Sequence, residues 1–337
     1  MADKTAFVTG AGCCVGRQLL SELLDDGWAV TALLMEAEAE TFAFRDDPRV
    51  TGVIGTLNEV DAASIPTGAV VFHLAAQVHT IPKTAEQRER FFVVNRDGTA
   101  RLADAARRRG AGGFVFISTI VVYGDLRKTT ACDEQAPAAP TTPYGQSKLD
   151  GERALAVELT GKVPYVILRP AVVYGPGDRG NFLRLISAVL GGRFPVVDGG
   201  TARKNTLYVG NLARTLAFFG AHAGRFDGEV FNVADPELYS MRQIAQTVAD
   251  VAGIELRLRN LPSALLKPFA LVGDVLGALL RREMPLNSRR LDLLTEDTTI
   301  CTDKLHAALG DEVRFLTLEE GLRAYLEGPD APTVGRP

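Results

Sequence analysis

Cysteine is scarce in this chain, with four in 337 residues, at Cys13, Cys14, Cys132 and Cys301. Two are adjacent and none stand as C-x-x-C. The pattern excludes a disulfide framework and points to reduced thiols in a cytoplasmic protein. An excess of positive charge is also lacking. Lys and Arg number 37 against 41 Asp and Glu, for a net charge of −4. Whole-chain charge therefore gives no reason to expect nucleic acid or an anionic membrane as a partner. Met1-Ala2-Asp3-Lys4 runs straight into an apolar strand pattern, without the charged, apolar, small order of a signal peptide. No internal repeat is found. Long hydrophobic runs are missing, with one near-exception. Residues 261–280 are mostly apolar, but Lys267, Pro268 and Asp274 interrupt them and make a membrane span costly. A core-facing or lid helix is expected there. An interfacial helix that admits a greasy substrate is the second reading.

What is present reads as an ordinary soluble protein, 46% hydrophobic and 23% charged. The length suits roughly two domains, or one large α/β domain with an extension. Short apolar runs at Thr5–Val8, Ala29–Leu34, Val50–Ile54, Ala69–Leu74, Gly113–Ser118 and Tyr165–Pro170 read as strands. Helical patterns lie between most of them, notably Val15–Asp26 and Phe92–Arg109. This alternation predicts a doubly wound parallel sheet, an α/β Rossmann arrangement, with ligands at the carboxyl ends of the strands.

The chemistry-bearing residues fall at those ends. After the first strand comes Thr9-Gly10-Ala11-Gly12-Cys13-Cys14-Val15-Gly16, then a helix. Strand, Gly-rich turn and helix make the setting of a dinucleotide phosphate site, because small residues let the backbone approach a pyrophosphate at a helix N-terminus. His73-Leu74-Ala75-Ala76 closes the fourth strand, with small residues where a cofactor could lie. His73 reads equally as a satisfied core histidine. Asn95 sits inside a helical pattern, and Ser118-Thr119 ends the fifth strand. Tyr144 and Lys148, four apart in Tyr144-Gly145-Gln146-Ser147-Lys148, share one face of a helix. A phenol titrates near pH ~10, and a neighbouring ammonium favours its phenolate, so the pair can move a proton at an alcohol or carbonyl oxygen.

The ordered set resembles the extended short-chain dehydrogenase/reductases, which include nucleotide-sugar epimerases and dehydratases. It comprises the Thr9–Gly16 turn, His73-Leu74-Ala75-Ala76, Asn95-x-x-Gly98-Thr99, Ser118-Thr119 with Tyr123-Gly124, Tyr144-x-x-x-Lys148, and Arg169-Pro170 with Tyr174-Gly175-Pro176-Gly177. The resemblance covers residues 4 to 327. It implies that Tyr144 is the acid/base, Thr119 holds the substrate oxygen, and Lys148 binds the nicotinamide ribose and tunes Tyr144. It places the cofactor along Gly10, Gly12, Cys13, Cys14, Val15, Gly16, Glu36, Thr56, Leu57, Leu74, Ala75, Ala76, Asn95, Ser118, Pro170 and Val173. NAD is the expected cofactor, with NADP left open. The division expected is an NAD(P)-binding domain over 1–175, to which segments around 206–235 return. A mainly substrate-binding region over 176–327 and a loose tail over 328–337 would follow. Similar proteins commonly form homodimers through a four-helix contact.

Three departures from the family pattern stand out. Cys13 replaces the middle glycine of the usual turn. Leu34 and Met35 stand where an acidic residue commonly ends the second strand, leaving Glu36 as the nearest acid for a ribose diol and Arg17 or Arg45 for a phosphate. Thr56 stands where similar proteins carry the Asp that binds adenine. A regulator with a dead site is the reading these changes would support.

For the substrate, Asn181, Arg203 and Lys204, with His79, resemble the places where nucleotide-sugar enzymes grip a diphosphate sugar. Cations near a pyrophosphate make physical sense. The rival is a 3β-hydroxysteroid dehydrogenase-like or β-keto acid reductase-like enzyme on an apolar substrate, suggested by the 261–280 segment followed by Met284-Pro285-Leu286-Asn287.

Overall fold

The computed structural model describes residues 4–78, 82–126, 132–178, 180–192, 194–256, 259–280, 284, 286–328 and 331. The expected tail over 328–337 lies outside the described residues, apart from 328 and 331.

The first half runs β1 (Thr5–Thr9), α1 (Cys14–Asp25), β2 (Ala29–Leu34), α2 (Glu36–Ala39), β3 (Val50–Ile54), β4 (Val70–His73), α3 (Ala85–Phe92), α4 (Gly98–Arg109), β5 (Gly113–Ile117), α5 (Pro143–Leu159) and β6 (Tyr165–Pro170). The second half continues with β7 (Val172–Tyr174), α6 (Asn181–Leu190), β8 (Pro195–Val197), β9 (Arg203–Tyr208), α7 (Val209–Ala221), β10 (Glu229–Val233), β11 (Leu238–Ser240), α8 (Met241–Val251), β12 (Arg259–Leu261), α9 (Ser263–Leu280), α10 (Ser288–Thr295), α11 (Asp303–Leu309) and α12 (Leu318–Leu326).

Seven strands form one parallel sheet in the order β3-β2-β1-β4-β5-β6-β10. Strands buried on both faces explain why β4, β5 and β6 read as continuous apolar runs. On one face, Leu19, Leu20 and Leu23 of α1 pack with Leu212, Leu216 and Phe219 of α7. On the other, Leu102 and Ala106 of α4 pack with Leu155 and Leu159 of α5. The chain winds outward in opposite directions from β1 and β4, and a crevice opens at their carboxyl ends.

One expected helix is broken. The pattern over Phe92–Arg109 continues through a π-helical segment, Val93–Asp97, between α3 and α4. A wider turn at this place lets the Asn95 side chain leave the helix and bond elsewhere.

The later segments build a smaller layer. A three-stranded sheet orders β11-β9-β7, and β8 pairs with β12. Helices α6, α8 and α12 close a second core around Tyr174 and Tyr208. Thr317 caps α12 reciprocally with Glu320, as its sequence spacing suggests. Helix α9 departs from the core-facing expectation. Ala270 is buried beside Val197 and Leu291, but Phe269 is 68% exposed and Val275 equally so. The stripe that is seated carries Leu266, Ala270 and Gly273. Among the described residues no helix is long and apolar enough to cross a membrane.

Candidate active site

The Gly-rich turn joins β1 to α1 at the crevice. Gly10 has φ +70°, and a Cβ there would lie 2.8 Å from the Ala75 nitrogen at the end of β4. A Cβ on Gly16 would strike the Gly10 carbonyl. The two glycines are therefore required by close backbone approach. Cys13 is exposed and serves as the N-cap of α1, its sulfur accepting from the Gly16 N–H at 3.3 Å. It does the work of a capping hydroxyl, so the missing middle glycine leaves the turn intact. Cys14 is half-buried, packs with Val15 against the second core, and burial pushes its thiol up to about 12.

At the end of β2 the acid that faces the turn is Glu38 instead of Glu36. Glu36 is exposed at the start of α2. The Glu38 carboxylate accepts from the Met35 N–H at 3.0 Å and lies 3.0 Å from where a Gly12 Cβ would be. About half a helical turn sets the difference. Residue 38 folds back over its own N-cap, where the helix dipole favours a carboxylate. Arg45 turns away, pairing with Asp46 at 3.3 Å and the Glu40 carbonyl at 3.2 Å. Arg17 lies against Gly177. Thr56 donates to Glu59 at 2.9 Å, while Leu57 is buried against Gly98.

His73 is a satisfied core histidine. Its Nδ1 accepts from the Thr9 hydroxyl at 2.8 Å, and its Nε2 donates to Thr99 at 2.9 Å, since Thr9 also accepts from the Ala75 N–H and Thr99 donates to the Asn95 carbonyl. Burial first, and the Lys148 charge second, hold it well below the usual imidazole range. It ties β1, β4 and α4 together beneath Leu74, Ala75 and Ala76. Asn95 is a clamp. Its Oδ1 accepts from the Gln77 N–H at 2.7 Å, and its Nδ2 donates to the Gln77 carbonyl at 3.1 Å and to Ser147 at 3.0 Å. It thereby locks the segment after β4 to α5.

Helix α5 carries Tyr144 and Lys148, the pair that the sequence spacing singles out. Thr142 caps it by accepting from Gly145, with Pro143 in the first turn. Tyr144, Lys148 and Glu152 follow at one-turn intervals. The Tyr144 ring meets Phe91 edge-on at 6.3 Å. Burial pushes its phenol up to about 12, against the pull of the neighbouring Thr119 hydroxyl. Lys148 is buried, its ammonium 4.1 Å over the Phe116 ring, and burial brings it down to about 7. The lysine thus loses its proton long before the phenol does. Within the protein's own groups Tyr144 is a proton donor, not the ready phenolate that the helix spacing suggests. Below them, Ser118 donates to Glu152, which pairs with Arg169 at 2.6 Å. Arg169 in turn covers Tyr123, with 4.8 Å to the ring centre.

Glu152 is the residue that reading the sequence missed. Its signal was available, one turn past Lys148 on the same face. Asp235 was also missed. It is buried, accepts from the Tyr208 N–H, Thr206 and Asn211, and is pushed up to about 7 by burial. Nothing in its local sequence distinguishes it.

The expected substrate residues are dispersed. Arg203 pairs with Asp297 at 2.9 Å, and Lys204 donates to the Glu296 carbonyl at 2.6 Å and Thr298 at 2.9 Å. Both cations fasten β9 to the strand-like segment after α10. His79 lies outside the described residues, and Asn181 begins α6. Pro170 ends β6 and Val173 lies in β7, half-buried.

The residues present fit a dinucleotide. The turn is pared to backbone at Gly10 and Gly16, at the N-terminus of α1. Among the described residues the buried Lys148 ammonium makes no hydrogen bond, so a ribose diol would supply the acceptors that it lacks.

The chain is similar to the Escherichia coli O157:H7 N-acetyl-alpha-D-glucosaminyl-diphospho-ditrans,octacis-undecaprenol 4-epimerase, at 29% identity over 70% of this chain and 71% of that one. It is also similar, at 29% identity over 96% of both chains, to a Stigmatella aurantiaca 4-hydroxy-2-methyl-3-oxo-4-farnesyl-3,4-dihydroquinoline-1-oxide ketoreductase. It shares its fold with the Bacillus cereus UDP-glucuronic acid 4-epimerase solved with UDP-glucuronic acid and NAD. The TM-score is 0.73 at 23% identity, over 96% of this chain and 98% of that one. The model of the NAD dependent epimerase/dehydratase family matches residues 6–234. This chain belongs to that family, as an enzyme of the extended short-chain dehydrogenase/reductase type with NAD as its cofactor.

Proposed function

We propose that the enzyme oxidises and re-reduces a hydroxyl-bearing carbon of a sugar carried on a diphosphate, as a 4-epimerase does. Bound NAD supplies the hydride acceptor and donor. Tyr144 gives and takes the proton at the substrate oxygen, and Thr119 holds the same oxygen. Lys148 binds the cofactor ribose and lends Tyr144 its charge when protonated. The observation that carries this reading is Lys148, a buried side chain one helical turn from Tyr144 whose ammonium makes no hydrogen bond among the described residues. Relatives that act on diphospho-sugars support the substrate class.

The test is to incubate the protein with UDP-glucose, UDP-N-acetylglucosamine and UDP-glucuronate without added cofactor, and to look by proton NMR for the 4-epimer. Tyr144→Phe should lower the rate at least ~10²-fold. An undiminished rate in that variant would sink the assignment.

A second reading is favoured by one observation. Arg203 and Lys204, the cations that would grip a diphosphate, are committed to residues 296–298. An apolar ketone needs no such grip, and the Stigmatella relative, matched along nearly the full chain, is named for a farnesylated one. Oxidation of added NADH by farnesylated or steroidal ketones, with no turnover of UDP-sugars, would select it.

A further inference from the structure

Helix α9 is inside out relative to an ordinary surface helix. Winding its sequence at 3.6 residues per turn puts Leu266, Ala270 and Gly273 on one narrow stripe. That stripe is seated: Ala270 is 1% exposed, and a Cβ on Gly273 would collide with the Leu286 carbonyl. The half of the helix beside that stripe is apolar and, among the described residues, open. Leu265 is 65% exposed, Phe269 68%, Leu271 61%, Val272 56%, Val275 68% and Leu280 59%. The two charges of the helix lie together on one side of the seated stripe, toward α10. Asp274 turns to α10 and accepts from the Ser288 N–H at 3.2 Å. Lys267 lies within electrostatic reach of Asp198. No charge falls on the open half, so water faces a strip of hydrocarbon about 27 Å long.

The surrounding sequence says what covers it. Between residues 257 and 290 the chain carries seven Lys and Arg (Arg257, Arg259, Lys267, Arg281, Arg282, Arg289, Arg290) against Asp274 and Glu283. This is a basic segment in a chain whose net charge is −4. A second copy of the same face would bring two basic segments together and is disfavoured by their repulsion. An anionic bilayer satisfies both features at once, apolar residues entering the acyl boundary and cations meeting headgroups. We infer that α9 is an interfacial helix that docks the enzyme on an anionic lipid surface without crossing it. The inference holds under either substrate reading.

The experiment is flotation of the full-length protein with phosphatidylcholine vesicles, with and without a third of the lipid as phosphatidylglycerol. The wild type should float with the anionic vesicles and float less at high salt. Phe269→Glu with Val272→Glu should raise the lipid concentration for half-binding at least ~10-fold. Both residues are exposed, so the melting temperature should stay near that of the wild type. Val157→Glu, exposed on α5, should bind as the wild type does. A wild type that stays at the bottom of the gradient with anionic vesicles overturns the inference, whatever the variants do. So does a Glu pair that floats undiminished. So does a wild-type dimer that the Glu pair splits, with no flotation, since the face would then be a contact between copies. Epimerase or ketone assays on the same samples are read separately and do not enter this outcome.

Discussion

Glu152 grips Arg169 beneath the active-site helix, accepting from Nε at 3.0 Å and from Nη2 at 2.6 Å, with both side chains less than a tenth exposed. The pair joins α5 to β6 one turn below Lys148. Glu152 also pulls the Lys148 ammonium upward against burial. Its charge thus serves both the architecture and the tuning of the site.

Removing one partner of a buried pair leaves the other charged and unpaired. Glu152→Gln is therefore expected to destabilise the protein by about 3–5 kcal/mol, measured by urea unfolding. The combined change Glu152→Leu with Arg169→Met should recover most of that loss, because neither charge then remains. A double variant as unstable as the single one would show that packing, not charge, carries the site.

Lys148 makes stability depend on pH in a definite direction. Burial lowers its value from 10.5 to about 7 in the folded protein. Between those values the unfolded chain holds a proton that the folded one has released. Stability from this group is present above 10.5 and lost as pH falls through about 7. In nucleotide-free protein, Lys148→Met should melt higher than wild type near pH ~7, with the gap closing as pH rises toward ~10. A variant that melts lower at neutral pH would mean that the ammonium is better satisfied than its surroundings suggest.

Cys13 is a weak acceptor in a capping position, with its sulfur 3.3 Å from the Gly16 nitrogen. A hydroxyl caps better. Cys13→Ser should keep NAD affinity within about threefold and raise stability by roughly 0.5–1 kcal/mol. Cys13→Ala should lower stability instead. Loss of NAD binding in the serine variant, read by fluorescence titration, would show that the thiol touches the cofactor.

Periodicity was enough to reveal the parallel sheet, because each strand from β1 to β6 is a short apolar run bounded by a turn, and β2, β3 and β6 keep their expected limits. That Tyr144 and Lys148 share one helix face was legible for the same local reason, and the end of β5 brings the Thr119 hydroxyl to Tyr144. Long-range pairing was not legible. Nothing near Glu152 announces Arg169, and nothing near Arg203 announces Asp297, 94 residues away. Local sequence also misled at two places. The Phe92–Arg109 pattern hides the π-helical turn that frees Asn95. In residues 261–280 hydrophobicity suggested burial, whereas small residues set which side packs.

Glu38 is the acid placed to choose between the two dinucleotides in the crevice. Its carboxylate stands over the turn, 3.0 Å from the place of a Gly12 Cβ, and is fixed by the Met35 N–H. A carboxylate at the end of the second strand accepts from a free ribose diol and repels a 2′-phosphate. Of the neighbouring cations, Arg45 is paired with Asp46, and Arg17 lies against Gly177 near Cys13. The expectation is that NAD binds at least ~10-fold more tightly than NADP at low salt. Glu38→Ser should narrow that ratio mainly by improving NADP, while Glu36→Ser, exposed on the outer side of α2, should leave it unchanged. Calorimetric titration of both dinucleotides into the three proteins separates the cases. If the Glu36 change moves the ratio and the Glu38 change does not, the ribose lies along the outer edge of α2, and the acid nearest in sequence is the one that reads it.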